Sequence, residues 1–354
     1  MEEKLNFSCD YLEGAHERIL KRLHETNLQK MNGYGYDPCS EHARSLIREA
    51  CGCPDAEVQF LIGGTQTNAV MIDAMLESYQ GVISASSGHV NVHEAGAIEA
   101  GGHKVLSLPQ HNGKLSADEL EKYVSDFEHD GNRDHMVMPG MVYLSQPTEY
   151  GTLYSLQELE AIRKVCRGHQ MKLYVDGARL AYALASPAND VSLRDLGRLC
   201  DAFYIGGTKC GALIGETVVV PDPHLIPHLF TIIKQHGALL AKGRLTGIQF
   251  EELFRDGLYF SIGKSAVDFA GQIQKALVQK GYRLLFESPT NQVYVIVSDE
   301  KLQKLSEKIE YSFWEKYDDA KTVIRLATSW ASTREDVDRL ISILSIQESL
   351  KADV

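Results

Sequence analysis

Short apolar segments alternate with helical patterns along the chain from about residue 57. Residues 66–78, 117–127 and 156–166 carry apolar side chains at three- and four-residue spacing, which is typical of helices that pack on a sheet. The predicted strands cover residues 58–62, 82–85, 104–108, 138–145, 173–175, 202–205 and 217–220. This alternation predicts an α/β fold with a mostly parallel sheet built from βαβ units.

Two serine–glutamate pairs indicate where helices begin. Ser116 is followed three residues later by Glu119, and Ser155 by Glu158, which is the capping-box pattern. We therefore expect helices to begin directly after Ser116 and Ser155.

The pattern changes after about residue 250. The predicted elements there are a long helix over residues 261–280, a strand over 292–297, a further helix, a strand over 322–327 and a last helix over 334–344. This order predicts a small α+β domain. We therefore divide the chain into residues 1–248, an N-terminal segment with a large domain, and residues 249–354, a small C-terminal domain.

Composition and charge exclude some classes of partner. The chain has 354 residues, of which 44% are hydrophobic, and its formal net charge of -12 at pH 7 would repel phosphate backbones. No basic stripe interrupts this acidic balance, so nucleic acid is not an expected partner. No stretch approaches the roughly 18 consecutive apolar residues that span a bilayer, so no membrane is expected.

The cellular compartment is predicted from the first residues and the cysteines. The N-terminus lacks the basic start and apolar run of a secretory signal. The seven cysteines are scattered, which fits reduced thiols better than a disulfide framework or a zinc cluster. We therefore expect a cytoplasmic protein without a structural metal.

Two charged residues lie at the ends of predicted strands. Lys209 lies in the stretch YIGGTKCGALIGE, between two apolar segments, and Asp176 follows the apolar residues 173–175 in LYVDGARL. Ligands of open α/β sheets bind outside the carboxyl ends of the strands, so we expect both residues to face one site. Taken singly, Lys209 also fits a strand-end lysine that extends to solvent, and Asp176 also fits a helix cap.

Together, this aspartate and this lysine fit a site for pyridoxal 5′-phosphate. A lysine amine binds the cofactor aldehyde covalently, and a carboxylate beside the pyridine nitrogen keeps the ring protonated, so that it withdraws electrons. The glycines around Lys209 would let a ring lie close to the backbone. The sequence therefore predicts a pyridoxal-phosphate enzyme.

Gly63, Gly64 and Thr65 follow a predicted strand and open a helix in FLIGGTQTNAV. Backbone N–H groups at a helix start favour a phosphate, and the Thr65 hydroxyl can add a hydrogen bond. The stretch matches neither a Walker motif nor the G-x-G-x-x-G motif. It predicts a phosphate site, with an ordinary turn as the alternative.

His89 and His93 lie four residues apart, close to Glu94. Their order differs from the H-E-x-x-H of zinc proteases, so we expect no metal here. The functional interpretation is a histidine stacked on a conjugated ring, and the alternative is an ordinary, partly buried imidazole.

With these stretches the chain resembles the threonine aldolase / β-eliminating lyase family, which are pyridoxal-phosphate enzymes of fold type I. The match extends from FSCDY at residues 7–11 to RLATSWASTREDVDRL at residues 325–340. The resemblance is to the low-specificity L-threonine aldolases. It implies a fold type I large domain, a small C-terminal domain, and a homotetramer or homodimer with shared active sites.

The resemblance also implies roles for single residues. Lys209 would bind the cofactor covalently, Asp176 would partner the ring nitrogen, and His89 would stack on the ring. The residues implied to hold the phosphate are Gly64, Thr65 and Thr208, with Arg244 reaching the phosphate of a neighbouring subunit. The residues implied to bind the substrate carboxylate are Ser8, Arg325 and Arg179, the last of which also contacts the cofactor.

One departure affects the chemistry. SQPTEYG places Glu149 where these aldolases commonly carry a histidine near the β-hydroxyl of the substrate. The base therefore stays open among His89, His93, Glu149 and a water molecule.

The implied reaction is retro-aldol cleavage of L-threonine, L-allo-threonine or a related L-3-hydroxy-amino acid to glycine and an aldehyde. The alternatives are β-elimination or transamination on the same fold, because a fold does not determine the reaction. A non-catalytic cofactor-binding protein and a nucleotide-binding α/β protein are further alternatives.

Overall fold

The structure is a computed structural model, and it describes residues 4–344. Residues 1–3 and 345–354 lie outside the described part, so the first residues of the segment expected to lack a secretory signal are among those not described. The described strands are β1 (Leu5–Asn6), β2 (Glu57–Leu61), β3 (Gln80–Ala85), β4 (Val105–Leu108), β5 (Met138–Ser145), β6 (Lys172–Asp176), β7 (Ala202–Gly206), β8 (Glu216–Val220), β9 (Arg283–Leu284), β10 (Gln292–Ser298), β11 (Ile309–Glu310), β12 (Ser312–Asp318) and β13 (Lys321–Ala327). The described α-helices are α1 (Glu17–Thr26), α2 (Pro38–Cys51), α3 (Gly64–Met75), α4 (His89–Val92), α5 (Ala97–Ala100), α6 (Ala117–His129), α7 (Leu156–Gly168), α8 (Leu180–Ala185), α9 (Leu193–Leu199), α10 (Leu229–Gln235), α11 (Arg244–Phe254), α12 (Leu258–Ser261), α13 (Lys264–Gln279), α14 (Asp299–Ser306) and α15 (Arg334–Ile343).

A seven-stranded sheet forms the centre of the molecule. Its strand order is β2-β8-β7-β6-β5-β3-β4, and every strand runs parallel to the others except β8, which is antiparallel to both of its neighbours. The prediction of an α/β fold with a mostly parallel sheet is therefore confirmed. Each of the seven predicted strands overlaps one of these seven strands.

Side chains alternate between the two faces of this sheet, because successive residues of a strand point in opposite directions. On β7, Phe203 and Ile205 pack into one core, whereas Ala202 and Tyr204 pack into a second core on the opposite face. Helices α1, α2, α6, α7, α9 and α11 contribute to the first core, and α3 and α10 to the second. The large unit is therefore a three-layer structure.

The two predicted capping boxes differ in outcome. The Ser155 hydroxyl accepts a hydrogen bond from the Glu158 amide at 3.2 Å, and the Glu158 carboxylate accepts one from the Ser155 amide at 2.7 Å. Helix α6 also begins after Ser116, but the Ser116 side chain makes no capping hydrogen bond.

A second, antiparallel sheet of order β12-β13-β10-β9 lies in the C-terminal part of the chain. The predicted helix over residues 261–280 is wrong in its first turn, because α12 ends at Ser261 and α13 begins after Gly263. A Cβ at Gly263 would lie 2.6 Å from the Ala181 carbonyl oxygen, so the chain passes very close to the large unit here. Strand β12 was not predicted, because most of its side chains are exposed and give no apolar alternation.

The N-terminal segment reaches the C-terminal part of the molecule. Strand β1 pairs in parallel with β11, and Leu5 and Phe7 pack into the core beneath the antiparallel sheet. The division of the chain between residues 248 and 249 stays a prediction.

All seven cysteines are free thiols. Within residues 4–344, no helix combines the length and apolar character needed to cross a bilayer.

Candidate active site

Two adjoining cavities lie where strands β5, β6 and β7 of the large sheet end. The inner cavity has a volume of about 310 Å³ and reaches the start of α3 and the loop between β7 and β8. The outer cavity has a volume of about 670 Å³ and extends to α4 and to strand β12 of the small sheet. The residues that line both cavities are Tyr11, His89, Glu149, Arg179 and Lys209.

Lys209 lies three residues after β7 ends at Gly206, in the loop of residues 207–215 that leads into β8. The Tyr182 hydroxyl donates to the Lys209 carbonyl at 2.6 Å and fixes the backbone of this loop. Burial and the nearby charge of Arg179 lower the pKa of the Lys209 amine. A lower pKa increases the fraction of neutral, nucleophilic amine, which is the form that attacks an aldehyde.

Asp176 is the last residue of β6, and it lines the inner cavity with Lys209. Its Oδ2 atom accepts hydrogen bonds from the Tyr143 hydroxyl at 2.6 Å and the Asn68 amide at 3.1 Å, and its Oδ1 atom accepts one from the Ala178 amide at 2.9 Å. Burial opposes ionisation, but the charge of His89 and hydrogen bonding by Tyr143, Tyr204 and the Ala178 amide lower the pKa of Asp176. The site thus holds a buried, ionised carboxylate.

One end of the inner cavity is lined by groups that suit an anion. Gly64 and Thr65 form the first turn of α3 and line the cavity, as Thr208 does from the loop beside Lys209. A Cβ at Gly64 would lie 3.1 Å from the Tyr204 hydroxyl, so the bare backbone keeps this end open. Backbone N–H groups at a helix start and two hydroxyl groups can together bind a phosphate.

His89 begins helix α4 and is held from two sides. Its amide donates to the Glu149 carboxylate at 2.8 Å, and its ring Nδ1 lies 2.7 Å from the Glu94 carboxylate. The ring of His93 is 5.6 Å from the His89 ring and lines only the outer cavity. Among the described residues, no group of three or more His, Cys, Asp or Glu side chains has the arrangement of a metal site.

Glu149 links His89 to the end of strand β5. Its carboxylate also accepts from the Ser145 hydroxyl at 2.6 Å. Burial raises the pKa of Glu149, against the hydrogen bond from Ser145. Glu149 is therefore a buried cavity residue whose carboxyl group takes up a proton more readily than an exposed glutamate does.

Two arginines bring positive charge to the outer cavity. Arg179 lies just after β6, and Arg325 lies on β13 of the small sheet. The Arg325 Nη2 group donates to the Ser8 carbonyl and the Ser312 hydroxyl, while its Nη1 group donates to the Gln292 side chain at 3.2 Å. Guanidinium groups at this position can bind a carboxylate with two parallel hydrogen bonds.

Two predicted site residues lie outside these cavities. The Ser8 hydroxyl donates to the Asn6 side chain at 2.7 Å, so only its carbonyl contributes, through Arg325. The Arg244 guanidinium donates to the carbonyl oxygens of residues 26, 27 and 29 at the end of α1.

Several residues of the site were not predicted from the sequence. Tyr11, Tyr143 and Glu216 line or support the inner cavity, and Asp10 and Asn68 make the buried hydrogen bonds around it. Asp10 and Tyr11 belong to the FSCDY stretch that matches the family, and their place in this stretch was the signal in the sequence that could have identified them. Glu216 is the first residue of β8, and the antiparallel pairing of β8 with β7 brings it opposite Gly206 and beside the cavity. Nothing in the sequence pattern indicated this antiparallel pairing.

Comparisons with known proteins identify the relatives of this chain. A solved structure of a Leishmania major threonine aldolase is 40% identical to it with a TM-score of 0.92, and the alignment covers 96% of this chain and 98% of that chain. The low specificity L-threonine aldolase of Pseudomonas sp. (strain NCIMB 10558) is 28% identical over 320 residues, which are 87% of this chain and 88% of that relative. An aspartate aminotransferase mutant of Thermus thermophilus is 13% identical with a TM-score of 0.71 and is similar in fold alone.

The mostly parallel sheet and its structural neighbours define a fold type I enzyme, as expected. The family model described as Beta-eliminating lyase matches residues 14–305. The chain therefore belongs to the beta-eliminating lyase family. The expected resemblance to threonine aldolases and the expectation of a lyase are confirmed at the level of the family.

Proposed function

We propose that this chain is a pyridoxal-phosphate-dependent lyase that cleaves L-threonine, L-allo-threonine or a related L-3-hydroxy-amino acid to glycine and an aldehyde. One observation carries the proposal: the amine of Lys209 and the ionised carboxylate of Asp176 line the same cavity. The threonine aldolases among its relatives support the choice of reaction.

The chemistry of the side chains fits this cofactor. Lys209 supplies an amine with a lowered pKa, Asp176 supplies a buried anion for a ring nitrogen, and His89 supplies a flat imidazole beside both. Gly64, Thr65 and Thr208 would hold the phosphate at the start of α3. When bound, pyridoxal phosphate supplies an electron-withdrawing ring that accepts the electron pair of the broken Cα–Cβ bond.

The chain's own residues bind and orient the substrate. Arg179 and Arg325 would bind its carboxylate. With the carboxylate held, the substrate can be oriented so that its Cα–Cβ bond is the one that breaks. His89 and Glu149 line both cavities and are the groups that can move the β-hydroxyl proton. Their shared position at the boundary of the two cavities supports this assignment.

We further propose a homo-oligomer, a dimer or tetramer, whose active sites are shared. Arg244 anchors the end of α1, and Leu28 beside that end is 92% exposed, which is unusual for a leucine and supports a covered surface there. In such an assembly Arg244 would reach a neighbouring phosphate. The seven free thiols support a reducing compartment, the cytoplasm.

The test is product analysis on the purified protein supplied with pyridoxal phosphate. We expect glycine and acetaldehyde from L-threonine or L-allo-threonine, without pyruvate and without amino transfer. Lys209→Ala should lose both the yellow colour of the covalently bound cofactor and the cleavage, with an unchanged circular dichroism spectrum. Lys164→Ala, at an exposed lysine of α7, is the matched control. Full activity in Lys209→Ala would exclude the proposed site.

A further inference from the structure

A histidine–glutamate pair lies at the edge of the two cavities. The Nδ1 atom of His89 is 2.7 Å from Oε1 of Glu94. Glu94 is 4% exposed and lines neither cavity, whereas His89 lines both. The Nδ1 side of the imidazole therefore faces the protein interior, and the other ring atoms line the cavities.

The same glutamate oxygen is held by a second partner. The Asn68 side-chain amide donates to Oε1 of Glu94 at 2.7 Å and to Oδ2 of Asp176 at 3.1 Å. Because carboxylate oxygens accept hydrogen bonds, the Asn68 nitrogen faces both of them, and its carbonyl oxygen accepts from the Tyr174 hydroxyl at 3.1 Å. Asn68 is fully buried and so links the carboxylates of Glu94 and Asp176 in one rigid network.

This network determines which nitrogen of His89 carries a proton. An ionised carboxylate only accepts hydrogen bonds, so Glu94 requires a proton on Nδ1. The second oxygen of Glu94 is buried and has no hydrogen-bond partner among the described residues, where the carboxylate therefore contacts only His89 and Asn68 through hydrogen bonds. Nε2 of His89 has no hydrogen-bond partner in residues 4–344, and in a neutral ring it keeps its lone pair.

We propose that Glu94 is a positioning residue that keeps Nδ1 of His89 protonated and thereby makes Nε2 the proton acceptor for the substrate's β-hydroxyl group. This inference rests on the proposed function. The β-hydroxyl proton moves to Nε2, and the O–H electron pair becomes the second bond of the aldehyde carbonyl. The Cα–Cβ electron pair stays with Cα, and the new imidazolium is stabilised by Glu94, as a carboxylate stabilises the histidine of a catalytic triad.

The neighbouring carboxylate is the alternative base, and its contacts disfavour it. One oxygen of Glu149 already accepts hydrogen bonds from the His89 amide and the Ser145 hydroxyl. That oxygen is therefore engaged within the protein, whereas Nε2 of His89 has no hydrogen-bond partner within residues 4–344. His89 is therefore the better acceptor of the two.

Kinetics of the cofactor-loaded enzyme test the role of Glu94. Glu94→Ala should lower kcat about 10- to 100-fold with little change in KM, the range found when metal-binding histidines lose their carboxylate partners. Glu94→Gln keeps an acceptor oxygen without the full charge and should give an intermediate kcat. His89→Gln should lose more than either, and adding Glu94→Ala to it should cause little further loss, because the two residues act as a unit.

The matched control is a histidine–glutamate pair on the surface. Nδ1 of His169 lies 2.8 Å from Glu128, far from either cavity, and Glu128→Ala should leave kcat and KM unchanged. Equal kcat for wild type, Glu94→Gln and Glu94→Ala would overturn the inference. So would additive losses for the pair His89 and Glu94.

A second measurement does not depend on turnover. In ¹⁵N-histidine-labelled protein, the His89 signal, identified by its absence in His89→Gln, should show a proton on Nδ1 in wild type and a mixture of ring forms in Glu94→Ala. A wild-type ring protonated only at Nε2 would overturn the inference even if the enzyme cleaves threonine. Absence of cleavage with the expected ring form would instead count against the proposed function.

Discussion

Arg179 and Asp10 are joined by two hydrogen bonds, from Nε to Oδ2 at 2.7 Å and from Nη2 to Oδ1 at 3.0 Å. Asn291 donates to the same carboxylate at 2.9 Å, and Asp10 is completely buried. Burial opposes ionisation, but the charges of Arg179 and Lys209 hold the pKa of Asp10 far below its usual range. Asp10 thus fixes one edge of the guanidinium, and the other edge can bind the substrate carboxylate that we propose for Arg179.

Asp10→Asn should therefore weaken substrate binding as well as the fold. Removal of one partner of a buried ion pair costs roughly 3–5 kcal/mol of the free energy of unfolding, and a loosened guanidinium should raise KM more than it lowers kcat. Denaturant unfolding and steady-state kinetics measure the two effects. Asp201→Asn is the control, because Asp201 forms a similar two-bond pair with Arg163 away from the cavities. It should lower stability without a change in KM, and an unchanged KM in Asp10→Asn would contradict the prediction.

Tyr143→Phe should weaken cofactor binding, most strongly in acid. The lost hydroxyl donates to Asp176 and contributes to its lowered pKa. Without it, the carboxylate should take up a proton at a higher pH and lose its attraction for a ring N–H group. Equilibrium dialysis of pyridoxal phosphate at about pH 5 and about pH 8 should show a greater loss of affinity at the lower pH.

The control for this prediction is Tyr154→Phe. Tyr154 is also a buried tyrosine with a hydrogen bond, but its hydroxyl accepts from the Leu115 amide and lies outside both cavities. Cofactor affinity should not change. An equal loss at both pH values in Tyr143→Phe would refute the explanation through Asp176.

Glu216 should make the stability of the protein depend on pH near neutrality. Burial raises the pKa of Glu216 to about 8 from an ordinary value of 4.5, against hydrogen bonds from Thr208 and the Gly207 amide. The folded state therefore holds this proton more tightly than the unfolded state does. The resulting stabilisation is fully present when the pH is below the ordinary pKa of 4.5, and it is lost as the pH rises toward about 8. Glu216→Gln should remove this part of the slope.

Melting temperatures across this pH range measure the effect of Glu216. The glutamine oxygen can still accept from the Gly207 amide, so the loop should keep its conformation. Glu119→Gln, a surface substitution on α6, should retain the wild-type slope. If the melting temperature of Glu216→Gln depends on pH as that of the wild type does, Glu216 does not ionise in this pH range and the prediction is wrong.

Ser155→Ala should lower the free energy of unfolding by about 1 kcal/mol, because it removes the N-cap of α7. Ser116→Ala, at a helix start without a side-chain cap bond, should change it by less than about 0.5 kcal/mol. Chemical denaturation of both variants is the measurement. Equal losses of stability would mean that the capping hydrogen bonds of Ser155 contribute no more than the uncapped serine at position 116.

The candidate site was predictable where it depends on the position of residues along a strand. Asp176 and Lys209 follow apolar strands, and the carboxyl ends of parallel strands meet at one edge of a sheet. Gly64 and Thr65 open a helix, which is also a local property. The contacts of Asp10 were not predictable, because Arg179 is 169 residues away and Asn291 is 281 residues away.

The alternation of strands and helices, the mostly parallel sheet and the positions of Asp176 and Lys209 at strand ends follow from the amino-acid sequence alone. These depend on the period of apolar residues and on local backbone preferences, which extend over a few residues. The folded molecule was needed to show that Ser8 contributes its carbonyl rather than its hydroxyl, and that Glu94 and Asn68 support His89 and Asp176. Such contacts depend on how separate elements pack in space, and the pattern of neighbouring residues carries no information about that packing.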